Sequence, residues 1–173
     1  MKLLVTMKLS NGSLWNHIFP ITGLKNVESI TLVRDTPGPD MEKIRFVTPS
    51  SDGMTSPLLQ VPIKLLQLLR ASLVENPSLI HSYLLFPHGY LAFIAGKLTG
   101  KKVGVSLIAG PVETYGLGGS PIGKYTYCQP LPQKSLLNRI ILSILKRFDV
   151  ITTTGTYTKN YLISKGINEN KIF

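Results

Sequence analysis

The sequence predicts one α/β domain, a doubly wound and mostly parallel sheet covered by helices in a three-layer arrangement. Three observations predict it. Short apolar runs alternate with longer helical patterns along the whole chain, which is typical of right-handed βαβ units. The runs are almost continuously apolar, as expected of strands that are buried on both faces. The length of 173 residues suits a single domain with a sizeable core.

Six strands and five longer helices follow from these patterns. The predicted strands cover residues 2–9, 29–33, 43–47, 79–83, 102–108 and 149–153, and the predicted helices cover 14–21, 58–73, 89–98, 135–147 and 156–165. Ser13 and Thr156 are the expected N-caps of the first and last helices. Pro62 should kink or restart the second helix. Residues 109–133 show no period, and loops of that length in a compact domain are usually functional or mobile.

Composition and charge limit the class of protein. Hydrophobic residues make up 43% of the chain and its mean hydropathy is +0.18, which excludes general disorder. No apolar run approaches the roughly 20 residues of a transmembrane helix, and the start lacks the pattern of a signal peptide. The single cysteine, Cys128, excludes an intrachain disulfide and a zinc site of several cysteines. We therefore expect a cytoplasmic protein.

The net charge of +10 favours contact with anionic partners. Aromatic residues are only 8% of the chain and no recognition motif accompanies the charge, so nucleic acid is the less favoured partner. The predicted helix 135–147 combines an apolar stripe with Lys134, Arg139, Lys146 and Arg147. Its stripe is expected to pack on the sheet, and the alternative is a basic face on anionic lipid at the inner side of the membrane.

A ligand site is expected at one edge of the sheet. In such sheets ligands bind beyond the carboxyl ends of the strands, where the strand order reverses. With a strand order of 3-2-1-4-5-6, this crevice lies between the first and fourth strands. The residues that follow the strands there are Ser10, Asn11, Gly12 and Ser13 on one side, His81, Tyr83, Pro87 and His88 on the other, then Ala109 and Gly110, and Thr154 and Gly155.

Each candidate has two interpretations. The turn 10–13 suits a phosphate but is equally an ordinary strand–helix turn. Asp35 follows the second strand, where the dinucleotide-binding fingerprint has an acidic residue. The turn has one glycine instead of the three that this fingerprint needs, which excludes it. The histidines His17, His81 and His88 are individually typical of core or capping residues, and their grouping favours a site. No spacing resembles a metal site, and Cys128 has no base beside it and is interpreted as a bystander.

The middle of the chain resembles a known family. It carries Leu79-Ile80-His81-Ser82-Tyr83, then Pro87-His88-Gly89, then Ala95-Gly96-Lys97-Leu98-Thr99-Gly100-Lys101-Lys102-Val103-Gly104-Val105-Ser106. Together with Phe148-Asp149-Val150-Ile151-Thr152-Thr153 and the helix after it, this order is similar to the N-terminal domain of family-four retaining glycosyltransferases of the GT-B type. Tyr83 stands where that family usually has a second histidine, and Ile108-Ala109-Gly110 stands in place of the histidine that usually follows the fifth strand.

The resemblance implies a Rossmann-like fold and a role for the chain. Residues 1–173 would form the acceptor-side domain of an enzyme that transfers a sugar with retention from a nucleotide-sugar to a glycan or lipid-linked acceptor. Its C-terminal domain, which supplies most donor contacts, would lie beyond this chain, so that the chain alone is inactive. The nucleotide-sugar is a substrate, and no cofactor or metal is implied.

The resemblance also implies residue roles. Asn11, Gly12 and Ser13 would lie near the donor diphosphate, and the cleft would be lined by His81, Tyr83, His88, Ala109, Gly110, Glu113, Thr154 and Gly155. Glu113 would orient a sugar hydroxyl, with a solvated loop residue as the alternative. Two other functions compete: a non-catalytic basic module that binds a polyanion or an anionic membrane surface, and an NAD(P)-dependent oxidoreductase, which the single glycine disfavours.

Overall fold

A computed structural model describes residues 1–8, 10–48, 57–115 and 136–173 of the chain. The predictions made for Leu9, Cys128, Lys134, Ser135 and residues 116–133 lie outside these residues.

Six parallel strands form one sheet in the order β3-β2-β1-β4-β5-β6, which confirms the predicted α/β fold class and is the strand order for which the crevice between the first and fourth strands was expected. The strands are β1 (Lys2–Thr6), β2 (Ser29–Val33), β3 (Ile44–Val47), β4 (Leu79–Tyr83), β5 (Lys102–Leu107) and β6 (Val150–Thr153). The helices are α1 (Asn11–His17), α2 (Phe19–Thr22), α3 (Pro57–Glu75), α4 (Tyr90–Thr99), α5 (Val112–Tyr115), α6 (Leu136–Leu145) and α7 (Thr156–Ser164). A π-helical turn, Leu85–Gly89, precedes α4, and a 3₁₀ turn, Glu169–Lys171, follows α7.

Helices cover both faces of the sheet. On one face, α1 contributes Leu14 and Ile18 to a core with β1 and β2. On the other face, α3 and α4 pack on β1 and β4 through residues such as Leu68 and Ala92, while α6 and α7 pack on β5 and β6 around Phe148. These layers are the three-layer arrangement predicted from the alternating pattern.

The strand order reverses at β1, which pairs with β2 on one side and β4 on the other. In the pairing with β4, Val5 lies opposite His81 and Thr6 opposite Ser82. The turn that leads from β1 into α1 and the turn that leads from β4 into α4 therefore leave the sheet side by side, at its carboxyl edge.

Three local predictions are wrong. Ser10, not Ser13, is the N-cap of α1, because the first helical residue is Asn11 and the Ser10 side chain accepts the backbone N–H of Ser13. Gly155 rather than Thr156 precedes α7, and no side chain caps that helix. The restart predicted as one outcome at Pro62 does not occur, because α3 continues through this residue; a proline in the first turns removes only one backbone hydrogen bond.

Two glycines allow close packing around β5. A Cβ atom on Gly96 would lie 2.0 Å from Cγ1 of Val103, so this glycine lets α4 approach the sheet. A Cβ atom on Gly104 would lie 2.5 Å from Nδ1 of His81. The absence of a side chain at Gly104 therefore creates the space in which the His81 ring lies across β5.

Candidate functional site

The turn between β1 and α1 forms one side of the carboxyl-edge crevice. Asn11 and Gly12 are exposed there, and Ser13 is half-buried. The Ser10 and Ser13 hydroxyls lie 3.1 Å apart. Arg34, which follows β2, donates from Nη1 to Oδ1 of Asn11 over 3.0 Å. The side chain of Asn11 is therefore oriented by a residue of the neighbouring strand, while its remaining surface faces solvent.

A cavity of about 200 Å³ opens at the carboxyl ends of β4, β5 and β6, on the α1 side of the sheet. Its lining is rich in hydroxyl groups and consists of His17, Tyr83, Ser106, Leu107, Ile108, Thr152, Thr153 and Thr154. A larger groove of about 480 Å³ lies between the edge strand β3 and α3, away from the point where the strand order reverses. We therefore take the smaller cavity as the candidate site.

A chain of hydrogen bonds crosses the sheet below this cavity. Nε2 of His81 lies 2.8 Å from the Ser106 hydroxyl, and that hydroxyl lies 2.6 Å from Oγ1 of Thr152. None of the three hydrophobic clusters in the described part of the chain includes these side chains. Three adjacent strands thus present a connected polar surface on this side of the sheet.

Tyr83 joins this polar surface to α1. Its hydroxyl donates to the backbone carbonyl of His17 over 3.1 Å, and its ring centroid lies 5.4 Å from that of His17 and 5.3 Å from that of His81. Burial raises the pKa of Tyr83 to about 12 and lowers the pKa of His81 to about 4. Both rings are therefore neutral at pH 7, which suits the cavity to hydroxyl groups rather than to charges.

His88 lies on the opposite side of the sheet from His81. It is buried, and its Nδ1 lies 3.1 Å from Oγ1 of Thr6 at the end of β1. Burial, and to a smaller extent the positive charge of Lys64, lower its pKa to about 3. The structure thus brings His17, Tyr83 and His81 together and separates His88 from them.

Glu113 is fully buried and connects the loops that follow β4 and β5. Oε2 accepts the backbone N–H of Leu85 over 2.7 Å, and Oε1 accepts that of Ala109 over 2.7 Å. Burial raises the pKa of Glu113 to about 7 even though these backbone hydrogen bonds oppose the shift. The alternative of a solvated loop residue is wrong, because the side chain is turned into the protein, where it fixes two loops of the crevice.

The backbone just before the hydrogen bond between Leu85 and Glu113 has an unusual conformation. Leu84 has φ of 72° and ψ of 142°, a region that residues with a Cβ atom rarely occupy. Its backbone N–H donates to the carbonyl of Ser106 over 3.0 Å, and the next N–H, of Leu85, goes to Glu113. Strained backbone of this kind persists where surrounding contacts hold it, and it is found frequently at ligand sites.

The remaining predicted residues lie on the same edge. Gly110 has φ of 79° and is buried, whereas Ala109 is half-buried. Thr154 is exposed and donates from Oγ1 to the carbonyl of Ile108 over 3.3 Å, and Gly155 is exposed beside it. Among residues 113–115, Glu113 is the residue that carries a carboxylate. Residues 116–119 of the same loop lie outside the described part of the chain.

Sequence analysis did not identify the polar residues Ser106 and Thr152 that contact each other below the cavity. Ser106 and Thr152 lie inside apolar strands and carried no signal beyond the two-residue alternation of β5 and β6. Arg34 and Asp35 were visible as a charged turn, but nothing in the sequence connected them to Lys64, which pairs with Asp35 at 2.6 Å from within α3. Among the described residues, no three His, Cys, Asp or Glu side chains gather as a metal site would require.

The chain was compared with protein families, curated proteins and solved structures. No protein-family model and no curated protein matches the chain. Solved structures do. UDP-GlcNAc 2-epimerase from Neisseria meningitidis, bound to UDP-GlcNAc, is similar with a TM-score of 0.65 and 15% identity over 100% of this chain and 45% of its own. The corresponding enzyme from Methanocaldococcus jannaschii gives 0.64 and 14% over 100% and 45%.

A glycosyltransferase from Rickettsia africae is also similar, with a TM-score of 0.59 and 16% identity over 99% of this chain and 41% of its own. The chain spans less than half the length of each of these structures. At such identities the likeness shows the fold alone, which is a Rossmann-like α/β domain of the kind that these structures contain. It does not single out the retaining family-four type that the sequence resembles.

Within the residues that the structure describes, no helix is long and apolar enough to span a membrane.

Proposed function

We propose that the chain is the acceptor-side half of a GT-B nucleotide-sugar enzyme, and that the reaction is a retaining glycosyl transfer to a glycan or lipid-linked acceptor. The observation that carries the proposal is the position of the hydroxyl-lined cavity. It lies at the carboxyl ends of β4–β6, beside the end of α1, in a chain whose fold is similar over 99–100% of its length to a UDP-GlcNAc 2-epimerase and to a glycosyltransferase.

The chemistry of the cavity suits a sugar acceptor. Neutral donors and acceptors from Tyr83, Ser106 and Thr152 match the hydroxyl groups of a sugar and offer no strong acid or base at pH 7. In this proposal the chain positions the acceptor sugar against the donor. Positioning of two reactants accounts for a large part of the rate enhancement when both must meet. The groups that stabilise the departing diphosphate come from Asn11, Gly12 and Ser13 together with the second domain.

The test uses the chain together with the domain that the proposal places after Phe173, so the gene sequence beyond that codon is read first. A following domain is expected, because the resemblance to family-four glycosyltransferases implies a C-terminal domain that carries a pair of glutamates and most donor contacts. In the two-domain protein, Asn11→Ala should lower the rate of UDP-sugar turnover by about tenfold or more, because one charge-assisted contact near developing charge contributes a few kcal/mol. Turnover is measured as UDP release in the presence of acceptor.

The matched control is Asn160→Ala, which removes the same amide from an exposed position on α7. It should leave turnover unchanged. Equal turnover of the two variants would remove the β1–α1 turn from the active site. A circular dichroism spectrum and a melting curve check that the Asn11 variant is folded.

A second reaction is favoured by the structural comparisons, since UDP-GlcNAc 2-epimerases are among the similar structures. The two reactions differ in their products. A transferase releases UDP only when an acceptor is added, whereas a 2-epimerase inverts carbon 2 of the sugar and keeps the nucleotide attached. Product analysis of the two-domain protein with UDP-GlcNAc, with and without acceptor, therefore distinguishes them, and the absence of both products in the presence of acceptor would contradict the proposal for this sugar donor.

We also propose that α6 makes the peripheral contact with an anionic membrane. Its buried side packs on β5 and β6 through Ile141 and Leu145, while Leu136, Leu137 and Ile140 are exposed beside Arg139 and Lys146, which face solvent too. An exposed apolar strip flanked by cations matches the interface of an anionic bilayer.

Sedimentation with vesicles tests this contact. The chain should pellet with vesicles that contain phosphatidylserine and remain in solution with phosphatidylcholine alone, and binding should fall as salt is raised. Ile140→Ser should lower the bound fraction several-fold, and Ile163→Ser, at an exposed apolar position on α7, serves as its control. Pelleting that is equal in both lipids, or the same for both variants, would contradict the α6 contact.

A further inference from the structure

An aromatic pair, Trp15 and Phe19, lies on the outer surface of α1 and α2. The two side chains are 47% and 49% exposed, and their ring centroids lie 4.9 Å apart with the ring planes inclined at 55°. Contiguous exposed apolar groups mark interaction sites, whereas single exposed residues need no explanation. The pair is therefore a candidate binding surface, here called the aromatic platform.

The two helices that carry the platform have no charged side chains. Residues 10–24 contain no Asp, Glu, Lys or Arg, although these types make up 16% of the chain. Exposed amide groups belong to α1 instead, at Asn11 and Asn16. Asn11 precedes Trp15 by four residues, so the two side chains lie on the same side of α1, one turn apart. A charged ligand would therefore have no oppositely charged side chain of α1 or α2 to pair with.

Aromatic rings beside neutral amides match the chemistry of a sugar. A pyranose ring has a face of C–H groups, which packs on the electron-rich face of an aromatic ring. The hydroxyl groups at its edge both donate and accept hydrogen bonds, as an amide does. The acyl chain of a lipid, by contrast, would pack equally well on aliphatic side chains and would leave the amides without a partner.

The platform lies on the same side of the sheet as the hydroxyl-lined cavity. His17, which lines that cavity, belongs to α1 as Trp15 does, but side chains two residues apart on a helix do not face each other. Trp15 therefore lies outside the cavity. The line from Phe19 through Trp15 to Asn11 runs towards the β1–α1 turn, where the carboxyl-edge crevice begins. An extended ligand on the platform thus reaches the crevice across one turn of helix.

We infer that the aromatic platform binds a glycan, and that it holds the acceptor of the proposed reaction through sugar units other than the one that reacts. This inference rests on the proposed function for the identity of the acceptor. It narrows the acceptor to a molecule with several sugar units, because a single sugar in the cavity would not extend to Trp15. Stacking on the two rings supplies affinity, and the Asn16 amide supplies hydrogen bonds to sugar hydroxyls.

Fluorescence of the chain tests this inference. Trp15 is the single tryptophan of the sequence, so the tryptophan emission reports on the platform directly. Chitotetraose and maltotetraose are the probes. At least one of them should shift the emission to shorter wavelength and saturate as its concentration rises. Raising the salt should leave the affinity unchanged, because neither probe is charged. An emission that neither oligosaccharide shifts would overturn the inference.

Three variants identify the contact. Phe19→Tyr keeps the aromatic ring and should bind as the original chain does. Phe19→Leu keeps an apolar side chain without an aromatic face and should weaken binding about fivefold. Tyr157→Ala, the control, removes a ring that is 77% exposed on α7 and should leave binding unchanged. Equal affinities of Phe19→Leu and Phe19→Tyr would show that the ring face is not the contact and would also overturn the inference. Melting curves check that each variant is folded.

Two further measurements separate the glycan from a lipid surface and from the proposed function. Phosphatidylcholine vesicles that shift the Trp15 emission when the oligosaccharides do not would assign the platform to lipid and overturn the inference. In the two-domain protein, Phe19→Leu should raise KM for an oligosaccharide acceptor several-fold and leave KM for the nucleotide-sugar unchanged. Oligosaccharide binding by the chain without any turnover of UDP-sugars would count against the proposed function alone. Turnover with an unchanged acceptor KM in Phe19→Leu would count against the platform alone.

Discussion

Replacing Glu113 by alanine is expected to lower the free energy of unfolding by about 3 kcal/mol or more. The carboxylate is fully buried and accepts the backbone N–H groups of Leu85 and Ala109. Without it, both groups remain buried with no acceptor, and a cavity is left between the loops after β4 and β5. Because Leu84 beside them has φ of 72°, the loop is also expected to relax from its strained conformation. Urea denaturation measures the effect.

Glu169→Ala is the matched control for this variant. Glu169 is exposed and pairs with Lys159 at 2.8 Å, and an ion pair on the surface contributes less than about 1 kcal/mol. A Glu113 variant no less stable than this control would show that the carboxylate does not hold the two loops.

Glu113→Gln adds a test of the charge. The pKa of Glu113 in the folded chain is raised from 4.5 to about 7, so the folded state binds the proton more tightly than the unfolded state. The contribution of this group to stability is therefore complete below about pH 4.5 and is lost as the pH rises through 7. The difference in stability between the original chain and Glu113→Gln should shift in favour of the original chain as the pH is lowered over that window.

The second large effect is a loss of stability in acid caused by two buried histidines. Burial lowers the pKa of His81 to about 4 and that of His88 to about 3, from 6.5. Below pH 6.5 the two histidines of the unfolded state therefore bind protons that those of the folded state do not bind. The stabilising effect of each neutral ring is complete above pH 6.5 and is lost as the pH falls, by about 2–3 kcal/mol per ring at pH 4.

Urea denaturation at a series of pH values between 7 and 4 measures this effect. Glu113 acts in the opposite direction over part of the range, but two histidines outweigh one carboxyl group. His88→Gln should make the pH dependence shallower and His81→Gln should do so by a smaller amount, since its pKa is lowered less. A pH dependence that neither variant changes would show that these rings are not the groups that titrate.

The strands β2 and β4 could be predicted from the sequence because each depends on a local pattern. Ser29–Val33 and Leu79–Tyr83 are short apolar runs bounded by turns, and strands separated by helices can pair in parallel in few ways. The helix starts were less accurate. Ser10 and Ser13 are both good caps in sequence, and only the position of the first backbone hydrogen bonds distinguishes them.

The pattern of residues alone indicates a doubly wound sheet, in which Asn11 follows β1 and His81 lies within the neighbouring strand β4. The contacts of the side chains at that edge depend on residues that are far apart in the sequence. His81 and His88 are seven residues apart yet contact Ser106 and Thr6 on opposite sides of the sheet. Glu113 turns inward to two loops, and Lys64 meets Asp35 across 29 residues. The physical reason is that apolar periodicity is a local property, whereas a buried polar group is satisfied by whichever distant partner the fold brings within about 3 Å of it.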